Sequence, residues 1–171
     1  MKISLDKEPY TKSIKSGVCS GGLSENPSKN TGDFGEVFIV SELIYAGYSA
    51  GGVDREGLPY DVLVHLEQKI IRVQVKTTSS TKEQKNGDLG AHFDLTNKKG
   101  LSSEKYEKSV DLFALVHAPS RSFWMLPASF GIGRKGIYAK VFGGVNGPLA
   151  RQLSRYKNTF FAIEEIMNEP Q

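Results

Sequence analysis

From Thr31 onward the positions Phe34, Val37, Phe38, Val40, Ser41 and Ile44 follow a three-and-four spacing. That spacing predicts a helix, with Asp33 as its cap and Gly47 just past its end. Tyr48 to Val53 then reads as a short strand, closed by the turn residues Asp54-Arg55-Glu56-Gly57. Two β-rich runs follow, Pro59 to Leu66 and Ile70 to Thr77, separated by the polar Glu67-Gln68-Lys69. A short strand is predicted near His92-Phe93-Asp94-Leu95, inside a polar, lysine-rich stretch over 78–109. Val110 to His117 reads as a buried strand with Ser122 to Leu126 as its hairpin partner. Leu149, Leu153 and Tyr156 give Pro148 to Tyr156 a helical spacing, and Phe160 to Ile163 reads as a last strand. The fold class is therefore α/β, more narrowly an α+β mixed sheet with helices packed on it. Residues 1–30 contain Pro9 and Pro27 and no sustained apolar period, so they read as a flexible N-terminal arm ahead of one domain over 31–171.

The hairpin carries the chemistry. If it is centred between Glu67 and Gln68, residues whose numbers sum to 135 face each other, and Asp61 lies opposite Gln74. Directly opposed residues have Cα atoms roughly 4.5–5.5 Å apart. Gln74 and Lys76 share a face because strand side chains alternate. A carboxylate, an amide oxygen and an ammonium group then occupy one patch. Glu67-Gln68 is not a favoured two-residue turn, so a longer loop would shift this register. The carboxylate and amide oxygens are hard ligands suited to Mg²⁺, with Mn²⁺ as a substitute. A lysine beside them can hold a water aimed at phosphorus. Glu36, in Gly35-Glu36-Val37, sits at the edge of the helix's apolar stripe and needs a partner there, such as a metal or its water shell.

Charge adds a partner class. The chain has 171 residues and a net charge of +3. Residues 31–80 carry four basic and seven acidic side chains, and residues 81–171 carry thirteen and nine. Between Asp111 and Glu164 there is no acid, while Arg121, Arg134, Lys135, Lys140, Arg151, Arg155 and Lys157 all lie there. An acidic middle followed by an acid-free basic region suits a metal site beside a polyanion, and these seven cations are the candidate nucleic-acid contacts. No run approaches the ~18 apolar residues of a membrane span. The lone Cys19 excludes an internal disulfide and a four-cysteine zinc site, and a cytoplasmic setting is expected.

Gly35-Glu36 in a helix, Tyr60-Asp61-Val62-Leu63-Val64 and Arg72-Val73-Gln74-Val75-Lys76-Thr77 together resemble the PD-(D/E)XK nuclease superfamily. The resemblance covers roughly residues 31–127, with successive separations of 25 (Glu36 to Asp61), 13 (Asp61 to Gln74) and 2 (Gln74 to Lys76). It is greatest to the branch of small homing endonucleases associated with group I introns, where Gln replaces the acid of the final motif. The resemblance implies a restriction-endonuclease-like core, with a central mixed sheet flanked by helices. It also implies that Asp61 binds the divalent metal directly and that the Val75 carbonyl is a further ligand. Gln74 stands where most relatives place an acid, Glu36 supports the metal through water, and Lys76 positions the attacking hydroxide. Gln cannot be a charged ligand or a general base, so a second metal is expected to bind weakly or not at all.

The expected activity is Mg²⁺-dependent hydrolysis of DNA, by a homodimer or homotetramer if both strands are cut. A junction-resolving nuclease, an RNA-processing nuclease and a non-catalytic DNA-binding module on the same core are the alternatives. The other features rank lower. His65, His92 and His117 lack zinc spacing. Gly131-Ile132-Gly133-Arg134-Lys135-Gly136 lacks the spacing of a phosphate loop and reads as a flexible basic loop. Trp124, if exposed, could stack on a base.

Overall fold

A computed structural model describes residues 27–54, 57–84, 87–96, 109–144 and 147–168. The residues of the expected arm up to 26 lie outside these, as do Cys19 and residues 85–86 and 97–108 of the lysine-rich stretch. Helix α1 spans Pro27–Tyr45. It begins six residues before Asp33, which lies inside the helix and caps nothing. Residues 27–30, read from the sequence as the end of the arm, are thus helical.

The apolar face of α1 also differs from the expectation. Gly35, Ile39 and Leu43 are buried, one per turn, while Phe34, Val37 and Ile44 are exposed. From Phe34 on the helix carries apolar residues on more than one side, so spacing alone does not choose which stripe meets the sheet.

Five strands form the central sheet in the order β1-β2-β3-β6-β7. They are β1 (Ser49–Gly52), β2 (Val62–Leu66), β3 (Lys69–Thr78), β6 (Leu112–His117) and β7 (Ser122–Pro127). The β2–β3 hairpin pairs Val62 with Val73 and Leu66 with Lys69, so its turn is Glu67-Gln68. This is the register that places Asp61 across from Gln74. β3 then runs parallel to β6, pairing Gln74 with Phe113 and Lys76 with Leu115, and β6 pairs antiparallel with β7.

β3 is the central strand, and its Ile71, Val73 and Val75 are all buried. A fully buried side chain of this kind is worth about 1.5–3 kcal/mol, which suits a β-branched run to the middle of the sheet. α1 covers the face that carries Thr77 and Phe123, with the Phe38 and Phe123 ring centroids 6.2 Å apart.

The opposite face is covered by a second sheet, β4-β5-β8, built from β4 (Lys82–Glu83), β5 (Leu89–Asp94) and β8 (Gly136–Phe142). Its Phe93 meets Trp124 edge-on at 5.8 Å, and Ala91, Ile137, Ala139 and Val141 are buried beside it. Trp124 is 1% exposed, so it is a core residue and not a base-stacking one.

Two short helices complete the described chain, α2 (Pro148–Ser154) and α3 (Phe161–Asn168). The expected last strand at Phe160 to Ile163 is thus the start of a helix. Four apolar residues in a row fit either element, and the deciding position, Ile166, comes one turn later. Among the described residues, no helix is long and apolar enough to cross a membrane.

Candidate active site

β2 begins at Val62, whereas β3 continues to Thr78 alongside β6. Just before β2, Asp61 is fixed by its own backbone: its N–H donates to Val73 O at 2.9 Å and its carbonyl accepts from Val53 N–H at 2.8 Å. Its side chain faces β3. Asp61 Oδ2 accepts the Val75 backbone N–H at 2.8 Å and a hydrogen bond from the Gln74 amide. The same amide nitrogen lies 3.3 Å from the Val75 carbonyl. A carboxylate oxygen and a backbone carbonyl therefore converge on one point, now bridged by the Gln74 amide.

Glu36 approaches from α1. Its carboxyl is pushed up from 4.5 to about 7, first by burial and then by the negative charges of Asp61 and Asp33. Burial likewise raises Asp61, against the lowering pull of the Val75 N–H, Lys76 and Gln74. A buried carboxyl whose proton affinity is raised by the charge of a second one, beside the Val75 carbonyl, forms a site that a hard cation would stabilise. Among the described residues, no three His, Cys, Asp or Glu side chains cluster at metal-binding distances. The available donor set is two carboxylates and the Val75 carbonyl, with the Gln74 amide turning its nitrogen to them and its oxygen joining the set on rotation of the amide. It fits a hard divalent ion.

Lys76 lies on the same face of β3 as Gln74. Its Nζ donates to the Thr96 carbonyl at 3.4 Å, and burial pulls its proton affinity down while Asp61 and Asp94 pull it up. The structure thus brings Asp61, Gln74, Val75 and Lys76 to one end of the hairpin, with Glu36 beside them. It also adds Asp94 and Thr96, which the sequence reading left without a role. Their signal was present as an Asp-Leu-Thr turn at the end of a recognised strand.

A model of the family described as PD-(D/E)XK endonuclease matches residues 26–146. The chain belongs to that family. Among solved structures, it is similar to a bacterial homing endonuclease, I-Ssp6803I, with a TM-score of 0.62 and 18% identity over 81% of this chain and 92% of that one. That likeness is one of fold. A Holliday junction resolvase, Hjc of Archaeoglobus fulgidus, matches with a TM-score of 0.39 and 18% identity over 64% of this chain and 84% of that one. No curated protein matches the sequence.

The seven basic candidates are dispersed. Arg121, Arg134, Lys135 and Arg151 are exposed. Lys140 is paired with Asp88 and donates to the Gly144 carbonyl at 2.7 Å. Lys157 donates to the Val141 carbonyl and lies 5.4 Å from the centre of the Trp124 ring. Arg155 sits 4.8 Å over the Phe161 ring and 3.8 Å from Glu165. Lys140 and Lys157 are committed to internal partners, which narrows the set that can reach a phosphate.

The basic loop is also less free than its glycines imply. A Cβ on Gly131 would lie 2.6 Å from the Phe113 ring, and one on Gly136 would lie 2.7 Å from the Phe93 carbonyl. Both glycines serve packing, and Gly133, with φ of 70°, makes the turn. The loop is tied to the site end of β5, because Leu95 N–H donates to the Lys135 carbonyl at 2.9 Å.

Proposed function

We propose that this chain is a Mg²⁺-dependent endodeoxyribonuclease of homing-endonuclease type, with Mn²⁺ as a substitute ion. The observation that carries this reading is the convergence of Asp61 Oδ2, the Gln74 amide and the Val75 carbonyl where β2 and β3 part, with Lys76 one side-chain position further on. Asp61, the Val75 carbonyl, Gln74 and, through water, Glu36 would hold the ion. Bound there, it would supply Lewis-acid stabilisation of the charge developing on a phosphate.

The chain's own residues divide the remaining work. Asp61 and Glu36 concentrate negative charge that draws the cation but repels a bare phosphodiester. The Val75 N–H keeps the Asp61 carboxylate oriented. Lys76 orients the attacking water and offers positive charge to the phosphate. Arg134 and Lys135, on the loop tied to Leu95, contact the phosphate backbone, with Arg121, Arg151 and Arg155 further along the surface. Cutting both strands of a duplex needs two such sites, so the working form is a homodimer or homotetramer. The fold shared with a bacterial homing endonuclease over nearly all of that chain supports the same reading.

The test is to incubate the protein with linear duplex, four-way junction and single strands, with and without Mg²⁺. Duplex cleavage that needs the ion is expected. Lys76→Ala should abolish cleavage, with a loss of about 10²–10⁴-fold, and leave duplex binding nearly intact. Wild-type cutting by that variant would remove Lys76 from the mechanism, and selective cutting of the junction would favour a resolving enzyme.

A further inference from the structure

We propose that Asp94 is a positioning residue for Lys76, acting through the Thr96 carbonyl; the inference rests on the nuclease reading above. Asp94 ends β5, outside the hairpin that carries the family pattern. Its Oδ1 accepts both the Thr96 N–H at 2.8 Å and the Thr96 hydroxyl at 2.6 Å. These two bonds close a turn over Leu95 and fix the direction of the Thr96 peptide. The carbonyl of that residue is an acceptor for Lys76 Nζ, at 3.4 Å.

The turn is held from its other side as well. Leu95 is 3% exposed in the core, and its N–H donates to the Lys135 carbonyl. Asp94 itself is exposed and carries no packing role, so its side chain is free to serve the turn. A lysine has four rotatable bonds and a point charge, so an ammonium without a fixed acceptor would sample many positions. Misplacing a reacting group by about 1 Å can cost on the order of 100-fold in rate. The second sheet thereby supplies a backbone acceptor for the end of the Lys76 side chain.

The geometry separates shape from charge. Asn at position 94 keeps an Oδ1 acceptor for both Thr96 donors, whereas Ala removes it. In metal-free protein labelled with ¹⁵N-lysine, the Lys76 ammonium signal is assigned by its loss in Lys76→Ala. That signal should be protected from exchange in wild type and in Asp94→Asn, and broadened away in Asp94→Ala.

With Mg²⁺ and duplex DNA under single-turnover conditions, Asp94→Ala should cut about 10–100-fold more slowly at unchanged DNA affinity. Asp94→Asn should cut close to wild type, and Asp94→Ala should add no further loss to Lys76→Ala. Equal losses in Asp94→Asn and Asp94→Ala would overturn the proposal, as would wild-type cutting by Asp94→Ala. If the wild-type protein cuts no DNA, the nuclease reading fails and the ammonium signal alone decides. Its survival in Asp94→Ala overturns the placement of Lys76 by Asp94.

Discussion

Gly35 of α1 lies directly against Thr77 of β3, so closely that a Cβ on the glycine would overlap Thr77 Oγ1 and lie 2.9 Å from Thr77 Cβ. The hydroxyl is buried there without a hydrogen-bond partner among the described residues. This contact brings the first turns of α1 onto the strand that carries Gln74 and Lys76. It explains how Glu36, the next residue, comes within the field of Asp61.

Gly35→Ala should therefore destabilise the protein despite a helix-propensity gain of up to about 1 kcal/mol. The hydroxyl can rotate away, but Thr77 Cβ cannot, so the helix must shift; such overpacking costs roughly 1–3 kcal/mol. Urea unfolding should show the loss, and cleavage should fall with it as Glu36 moves off Asp61. Adding Thr77→Ala should restore only part of the stability, because its Cβ remains.

Glu36 makes the metal-free protein sensitive to pH. Its carboxyl has a folded value of about 7 against 4.5 for the ordinary group. Below pH 4.5 both folded and unfolded states are protonated and the group costs nothing. Between 4.5 and 7 the unfolded state ionises first, so stability falls as pH rises and stays lower above pH 7. Glu36→Gln should raise the melting temperature in chelator more at pH 8 than at pH 5. Added Mg²⁺ should shrink that gain, since the cation offsets the charge. An equal gain at both pH values would show that Glu36 ionises freely.

Asp61→Asn should abolish divalent-ion binding measured by calorimetry and lower cleavage by more than the roughly 10–100-fold typical of residues that only support a metal ligand. Gln74→Glu should behave differently. It adds a charged oxygen beside Asp61, so the metal-free protein should melt lower and recover with Mg²⁺. Cleavage should persist with an altered preference between Mg²⁺ and Mn²⁺. Unchanged ion binding in Asp61→Asn would reduce Asp61 to a turn residue.

Neutralising Arg134 and Lys135 together should weaken binding to all duplexes alike. Each phosphate-touching cation contributes about 0.9 to the slope of log affinity against log salt, so the slope should flatten by about 1–2. An unchanged slope would move the DNA surface elsewhere. Neutralising Lys140 should instead cost stability, since it would leave Asp88, 9% exposed, without its cation.

The candidate site was legible in the sequence because it lies on local structure. A two-residue turn at Glu67-Gln68 sets the pairing of Asp61 with Gln74, and strand alternation puts Lys76 on the same face. Both are short-range rules, and the residue types name the chemistry. The strands β1, β3, β6 and β7 and the helix α2 follow from runs whose burial is decided within a few residues.

Long-range packing decided the rest. The sequence of α1 is apolar on several sides, and only contact with β3 selects Gly35, Ile39 and Leu43 as the buried stripe. β8, with its buried Ile137, Ala139 and Val141, was not read as a strand from the sequence, and its pairing with β5 joins residues more than forty positions apart, with no local signal that specifies that partner. The same sheet carries Asp94 and Thr96 to Lys76 and ties up Lys140. By itself the sequence determined which groups meet at the end of the hairpin, because spacing along one pair of strands is enough for that. Only the tertiary structure decided how they are held and which cations are tied to internal partners, because those depend on which surfaces exclude water against each other.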